Sequence, residues 1–424
     1  MSSESFDGAA KARIPNPSAD PIADFYTNNP FPPPLEDLER ALELYKDENV
    51  RRSEFFMLWP DREYRADLDV LVAGCGTWQA AKYALVHPDA RVIAIDVSPT
   101  SLEHTEKLKQ KYNLTNLDVR QLPIENAGDL DHTFDHIVCT GVLHHLADPD
   151  IGLRALQSVL KKDGAMYLML YAPYGRTGVY MMQEYCRRLG VGTSPEEIRD
   201  LISVLKALPQ NHPVLAAQGG AREFMADSIA DALLNPRDRP YSVPQIFDFL
   251  ERSELAFGRW YWQAAYLPQC GMMARTPHAA ILAELPERER YAQMELWRGL
   301  MSNHSFVAYR NDADLTRAKI QFDDDFTADN YMAYVPVRLP WTMCVTQSLP
   351  PGAAGVLVNQ THVFQDTFVI VNTVQKALYD AIDGQRSIAQ IMEAANESDS
   401  LIVLEFFKRL WEHDQVVFDT SKAK

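Results

Sequence analysis

Cysteine is scarce in this chain and carries no pattern. Five cysteines (Cys75, Cys139, Cys186, Cys270 and Cys344) are scattered over 424 residues, with no CxxC pair and no histidines at metal-ligand spacing. That excludes a disulfide framework and any recognisable zinc motif, so no metal is expected and a reducing, cytoplasmic setting is. Long apolar runs are missing as well. No window approaches about 18 uninterrupted apolar residues, which argues against a membrane span. The opening stretch MSSESFDGAAKARIPNPSAD lacks the apolar centre of a secretory signal. Positive charge is in deficit: 41 Lys and Arg face 58 Asp and Glu, for a net charge of −17 without any basic run. Phosphate backbones are held by clustered cations, so no nucleic-acid partner is expected.

What is present is the material of a core. Hydrophobic residues make up 46% and charged residues 23%, in a chain long enough for two domains. Residues 1–24 are small, polar and Pro-containing and read as an arm. In FYTNNPFPPPLEDLERALELYK, Leu35, Leu38, Leu42 and Tyr45 fall on one helical face, and RRSEFFMLWP suggests a second helix. From Leu68 to Tyr171, strands at 68–73, 91–96, 117–121, 134–139 and 165–171 alternate with helices at 77–87, 99–112 and 151–160, and with a short helical stretch near 125–131. That alternation specifies a parallel, doubly wound sheet with its ligand at the strands' carboxyl ends. Further on come a helix at 243–253, a strand in LAFGRWYW, a helical hairpin over 278–301 and a strand at 305–310. QFDDDFTADN and SLPPGAAG read as linkers, and the last stretch as strands and three short helices of winged-helix type.

The stretch LVAGCGTWQAAKYALVHPDARVIAID carries the first chemistry. Gly74 and Gly76 let backbone approach a ligand without a Cβ in the way. A dinucleotide fingerprint would place a third glycine at 79, where this chain has Gln79. Asp96 ends the second strand, where a carboxylate can accept hydrogen bonds from two ribose hydroxyls. NAD and S-adenosylmethionine both satisfy that feature, and a helix-capping role for Asp96 competes with it.

The fourth strand narrows the choice. LVAGCGT, VIAIDVS, FDHIVCTGVLHHLADP and LKKDGAMYLMLY together resemble the class I S-adenosylmethionine-dependent methyltransferases, in family order and over about residues 66–175. FYTNNPFPP, DALLNPRDRPYSVPQIFDFLE and MELWRGLMSNHSFVAYR resemble, more loosely, a bacterial subgroup of generically named methyltransferases with a C-terminal accessory domain. The resemblance implies an α/β fold: a Rossmann-like, doubly wound seven-stranded sheet with helical lid and insertions and a small α+β C-terminal domain. It divides the chain into an arm and lid helices (1–65), the methyltransferase domain (66–312, with insertions about 175–242 and 275–303) and the accessory domain (335–424). It implies S-adenosyl-L-methionine as cofactor and S-adenosyl-L-homocysteine as product. Gly74, Cys75, Gly76, Thr77 and Gln79 would then line the methionine end, and Asp96 would bind the ribose. Val97, Gln121 and Leu122 would flank the adenine, with Thr140 and Gly141 near the methyl group.

Methyl transfer from a sulfonium has a good leaving group, so positioning and exclusion of water can suffice. If a base is used, His144, His145, Tyr174 and His304 are candidates. For the two adjacent histidines, packing beside the cofactor and capping the next helix is the competing reading. Tyr26, Asn29, Tyr171, Tyr174, Arg176, Tyr180, Arg237, Arg239 and Tyr241 are candidates for an acceptor wall, with an ordinary loop and helix surface as the alternative. The acceptor is read as a small molecule. A protein side chain docked by the C-terminal module is the second reading, and a non-catalytic adenosyl-binding scaffold the third. A homodimer is compatible with all three.

Overall fold

Strands that are apolar on both faces need cover on both faces, and the first strand sets that requirement. β1 (Asp69–Ala73) has Val70, Leu71, Val72 and Ala73 completely buried, the signature of a central parallel strand. The computed structural model describes residues 20–216, 223–314, 320 and 331–423. In it β1 joins β2 (Arg91–Asp96), β3 (Leu117–Gln121), β4 (Phe134–Thr140), β5 (Leu160–Tyr171), β6 (Leu255–Trp260) and β7 (Asn303–Arg310). The order is β3-β2-β1-β4-β5-β7-β6. β1 to β5 run parallel, and β7 is antiparallel to both of its neighbours.

Ala80, Ala81 and Ala84 of helix Gln79–Val86 cover one face together with Leu102 and Leu108. Their small side chains let that helix lie close over β1 and β2. The other face packs on Ile124, Leu153, Leu156 and Phe249. Helix Pro99–Tyr112 starts as the sequence signals: Ser98 Oγ accepts from Ser101 N at 3.2 Å, with Pro99 in the first turn. Strand order reverses between β1 and β4, so their carboxyl ends open a crevice.

Four local expectations are corrected. β5 begins at Leu160 rather than residue 165, because Leu160 pairs with Phe134 across an irregular register. The stretch near 125–131 is a 3₁₀ turn, Ile124–Leu130. Leu38 and Tyr45 are buried as a helical stripe requires, but Leu35 and Leu42 are exposed. The helix there spans only Glu39–Leu44, too short to bury a continuous face. The strand read over LAFGRWYW ends at Trp260.

Beyond the sheet, β8 (Val335–Arg338) pairs with β12 (Val416–Asp419), while β9 (Thr342–Val345), β10 (Gly355–Asn359) and β11 (Val369–Val371) form a separate antiparallel sheet. Helices Thr373–Asp380, Ile388–Ala394 and Ser400–Glu412 fall where the sequence places them, around a core that includes Leu378, Ile391, Phe407 and Leu410. This segment packs on the β6–β7 edge: the buried Asp414 accepts from Gln263 N at 3.1 Å and Ala264 N at 2.9 Å. SLPPGAAG connects β9 to β10, whereas QFDDDFTADN lies outside the described residues. Among the described residues no helix is long and apolar enough to cross a membrane.

Candidate active site

The crevice at the β1–β4 switch is a cleft of about 260 Å³. Its floor is backbone. Gly74 and Gly76 have φ of +69° and +58°, a region that side chains disfavour. A Cβ on Gly74 would lie 2.4 Å from a methyl of Val142, so glycine is also required to seat the loop after β4. Gly74 N and Cys75 N both donate to Ile95 O, locking the turn to β2.

Asp96 faces the cleft from the end of β2. Its Oδ2 accepts from Gly76 N and its Oδ1 from Ser98 N, each at 2.9 Å. One carboxylate therefore ties the glycine turn to the next helix and keeps lone pairs for a ligand. Burial raises its pKa, while the backbone donors pull it back down. Val97, Leu122 and Ile124 give the same end an apolar wall. At the other end Gln79 Nε2 donates to Thr140 Oγ1 at 2.9 Å, beside Gly141, whose φ is +77°.

The chain covers this cleft with its own N-terminal helix, Pro21–Asn28, and the residues after it: Ile22, Tyr26, Phe31 and Pro32 all line the cavity. Thr77 Oγ1 donates to Pro32 O at 2.7 Å, Ser98 Oγ to Tyr26 O at 3.0 Å, and Thr100 Oγ1 to Thr27 O at 2.9 Å. The far end is polar and enclosed. Tyr26 Oη donates to Asp231 Oδ1 at 2.8 Å and Tyr171 Oη to Asp231 Oδ2 at 3.3 Å. Burial raises the Asp231 pKa, and burial followed by the Asp231 charge raises that of both tyrosines. His145 completes this end, its Nδ1 donating to Arg237 O at 2.5 Å.

Of the sequence candidates, Gly74, Cys75, Gly76, Gln79, Asp96, Val97, Leu122, Thr140, Gly141, Tyr26 and His145 line the cleft. Thr77 and Gln121 do not: Thr77 holds the N-terminal segment, and Gln121 is exposed with its Nε2 on Val97 O at 3.1 Å. His144 is fully buried behind the cleft wall, its ring 4.1 Å from that of Tyr171. His304 is buried in the core, bonded to Tyr266 Oη at 2.6 Å and Glu295 Oε1 at 3.0 Å, and touches no ligand space. Tyr174 is exposed and turned away. Asn29 bonds back to Phe25 O as a helix end does. Arg176 sits 3.6 Å over the Tyr171 ring and bonds Asp238 at 3.2 Å, behind the wall rather than in it. Tyr180 borders a separate surface cleft, Arg239 is exposed, and Tyr241 is buried against Phe249.

Asp231 escaped the sequence reading. Its signal is an acid within the apolar run Ile229–Leu234, on the buried side of helix Ala226–Leu234.

Residues 71–166 match the model of a family described as "Methyltransferase domain". An uncharacterized protein of Synechococcus sp. is 32% identical over 197 residues, 44% of this chain and 47% of that protein. Malonyl-[acyl-carrier protein] O-methyltransferase of Acetivibrio thermocellus is 28% identical over 129 residues, 30% of this chain and 44% of that one. The chain thus spans about half the length of these curated relatives. Among solved structures, PKMT2 from Rickettsia typhi superposes with a TM-score of 0.63 at 14% identity, covering 88% of this chain and 76% of that one. The same protein in complex with AdoHcy gives 0.62. At that identity the likeness speaks to the fold.

Proposed function

We propose that this chain moves a methyl group from S-adenosylmethionine to a small-molecule acceptor, on the premise that residues 71–166 match a methyltransferase domain and the chain has the class I methyltransferase fold. The observation that carries the reading is the pairing of Asp96 with the glycine turn across one cleft. A carboxylate with free lone pairs suits two ribose hydroxyls. The apolar wall of Val97, Leu122 and Ile124 suits a flat base, and the bare backbone at Gly74, Gly76 and Gly141 leaves room for the methionine arm. When bound, the cofactor supplies an activated methyl on a sulfonium.

This chain's residues do the rest. Gln79, Thr140 and Gly141 border the space between the cofactor end and the polar end, and Tyr171 and Met169 beside them would hold a nucleophile facing the cofactor's methyl group. Asp231, whose pKa burial raises and which two tyrosine hydroxyls hold, is placed to take, as its carboxylate, the proton that an acceptor hydroxyl or amine loses. The N-terminal segment over the cleft keeps water out.

The same cover supports a small acceptor over a protein side chain, since Tyr26, Phe31 and Pro32 stand where a docked peptide would have to enter. The test is to incubate the chain with methyl-labelled S-adenosylmethionine and fractionated cell extract, then separate products by size. Label in the low-mass fraction is expected. Label confined to protein would overturn the small-molecule reading.

A further inference from the structure

A cluster that the methyl-transfer reading does not use lies behind the polar end of the cleft. His144 and His145 belong to the 3₁₀ turn Leu143–His145 after β4, and Asp238 stands in the loop after helix Ala226–Leu234. One ligand atom from each of the three lies within 4.8 Å of the others. Four buried polar atoms there have no hydrogen-bond partner: both ring nitrogens of His144, Nε2 of His145 and Oδ1 of Asp238. His144 is 0% and His145 2% exposed, and the Asp238 side chain is 3% exposed. Buried donors and acceptors are nearly always paired, so orphans that converge on one place call for a shared partner.

The chemistry of the orphans says which kind. His145 Nδ1 faces the carbonyl of Arg237, which can only accept, so the ring proton is on Nδ1 and Nε2 presents a lone pair. An imidazole fixed by a backbone carbonyl at one nitrogen is how proteins orient a metal-bound histidine at the other. Both ring nitrogens of His144 are buried without a partner, and an imidazole nitrogen without a proton presents a lone pair. Asp238 Oδ2 is anchored by Arg176 Nη2 at 3.2 Å and Gln183 Nε2 at 2.9 Å, which leaves Oδ1 directed and unshared. Three lone pairs, one each from His144, His145 and Asp238, converge there; a water has only two O–H groups to give them, whereas one cation satisfies all three.

We propose that His144, His145 and Asp238 form a binding site for one borderline transition-metal dication, with Zn²⁺ as the reference ion. Two imidazoles and a carboxylate match Zn²⁺, Co²⁺ or Ni²⁺, while Mg²⁺ and Ca²⁺ take all-oxygen sites. Arg176 sharpens that choice. Its guanidinium offsets part of the Asp238 charge, weakening a purely electrostatic ion more than one bonded to imidazole nitrogen. Three protein ligands leave a coordination position open, and His145 also lines the cleft, so the ion would adjoin the acceptor end. The site does not depend on the methyl-transfer reading.

The experiment uses the full chain, stripped with a chelator and titrated with Co²⁺ and then Zn²⁺. One equivalent of Co²⁺ should bind with visible ligand-field absorption, and Zn²⁺ should displace it. Asp238→Asn and His144→Gln should each weaken Zn²⁺ binding by at least about tenfold, while circular dichroism and urea unfolding show the fold intact. If one variant does not fold, the other carries the same comparison. Absence of Co²⁺ absorption and Zn²⁺ binding in a folded chain overturns the site. So does Zn²⁺ binding that both folded variants retain at full strength, and so does a preference for Mg²⁺. S-adenosylhomocysteine titration of the metal-free chain tests the cofactor cleft separately.

Discussion

Asp96→Asn is the sharpest probe of the cofactor end. The substitution keeps the side chain's size and turns one acceptor oxygen into an NH₂ donor. In the native chain each Asp96 oxygen already accepts a backbone N–H at 2.9 Å, from Gly76 and from Ser98. Whichever way the amide turns, its nitrogen meets one of those N–H groups, so one backbone bond is lost and one ribose hydroxyl loses its acceptor. A hydrogen bond to a charged group contributes about 1.5–3 kcal/mol. Losing one from the ligand should therefore weaken S-adenosylhomocysteine binding by about 10- to 150-fold. The assay is calorimetric titration near pH 8. A second arm uses pH: burial raises the Asp96 pKa, and a protonated carboxyl has surrendered an acceptor. Wild-type affinity should fall as pH drops through that pKa, and the Asn variant should lack the slope. An Asn variant that folds normally and binds within about twofold of wild type would refute the ribose role.

Three further outcomes are expected. Gly76→Ala puts a Cβ 2.9 Å from Pro32 Cδ and 3.0 Å from Phe31 O at a φ of +58°. It should loosen the N-terminal cover, seen as faster limited proteolysis there, whereas Gly190→Ala, with open space at a φ of +66°, should show only left-handed strain of about 1–2 kcal/mol in urea unfolding. Asp231→Asn should lower kcat by about 10²- to 10⁴-fold and leave S-adenosylhomocysteine affinity within about twofold; an unchanged kcat removes Asp231 as base. Burial pushes His136 and His413 down to about 4, so the unfolded chain takes up protons below pH 6.5 that the folded chain refuses. Stability present above that pH is lost as pH falls from 6.5 toward 4, by about 2 kcal/mol per histidine at pH 5. Asp231 and Glu412, whose pKa values burial raises, act in the opposite direction. Urea midpoints of wild type and His136→Gln at pH 8 and pH 5 isolate one histidine, and identical slopes would refute its assignment.

The cofactor end was legible because it is local. The glycine turn, the strand before it and Asp96 lie within one βαβ unit, where apolar runs and small helix residues dictate the geometry. The acceptor end was not, because its hydrogen bonds join residues far apart in the chain. Tyr26 meets Asp231 across 205 residues, and His145 meets Arg237 across 92. Tyr26 on the N-terminal arm and His145 after the fourth strand stand out as polar candidates, but nothing in the sequence says which distant partner each one meets. Arg176 and Tyr180 follow the fifth strand closely in sequence, yet Asp238 draws Arg176 behind the wall and Tyr180 borders a separate cleft. His304 is no site residue because its buried partner Glu295 lies in the helix before β7, a hydrogen-bonded pair of the core. No metal motif showed because Asp238 comes from a loop packed against the histidine turn only in the folded chain.

The direct test of the whole account is one titration series on the native chain: S-adenosylmethionine, S-adenosylhomocysteine and NAD, each followed by calorimetry. Saturable binding at one site for both sulfur ligands, with no heat from NAD, is the predicted result. Binding of NAD in place of both sulfur ligands would contradict it.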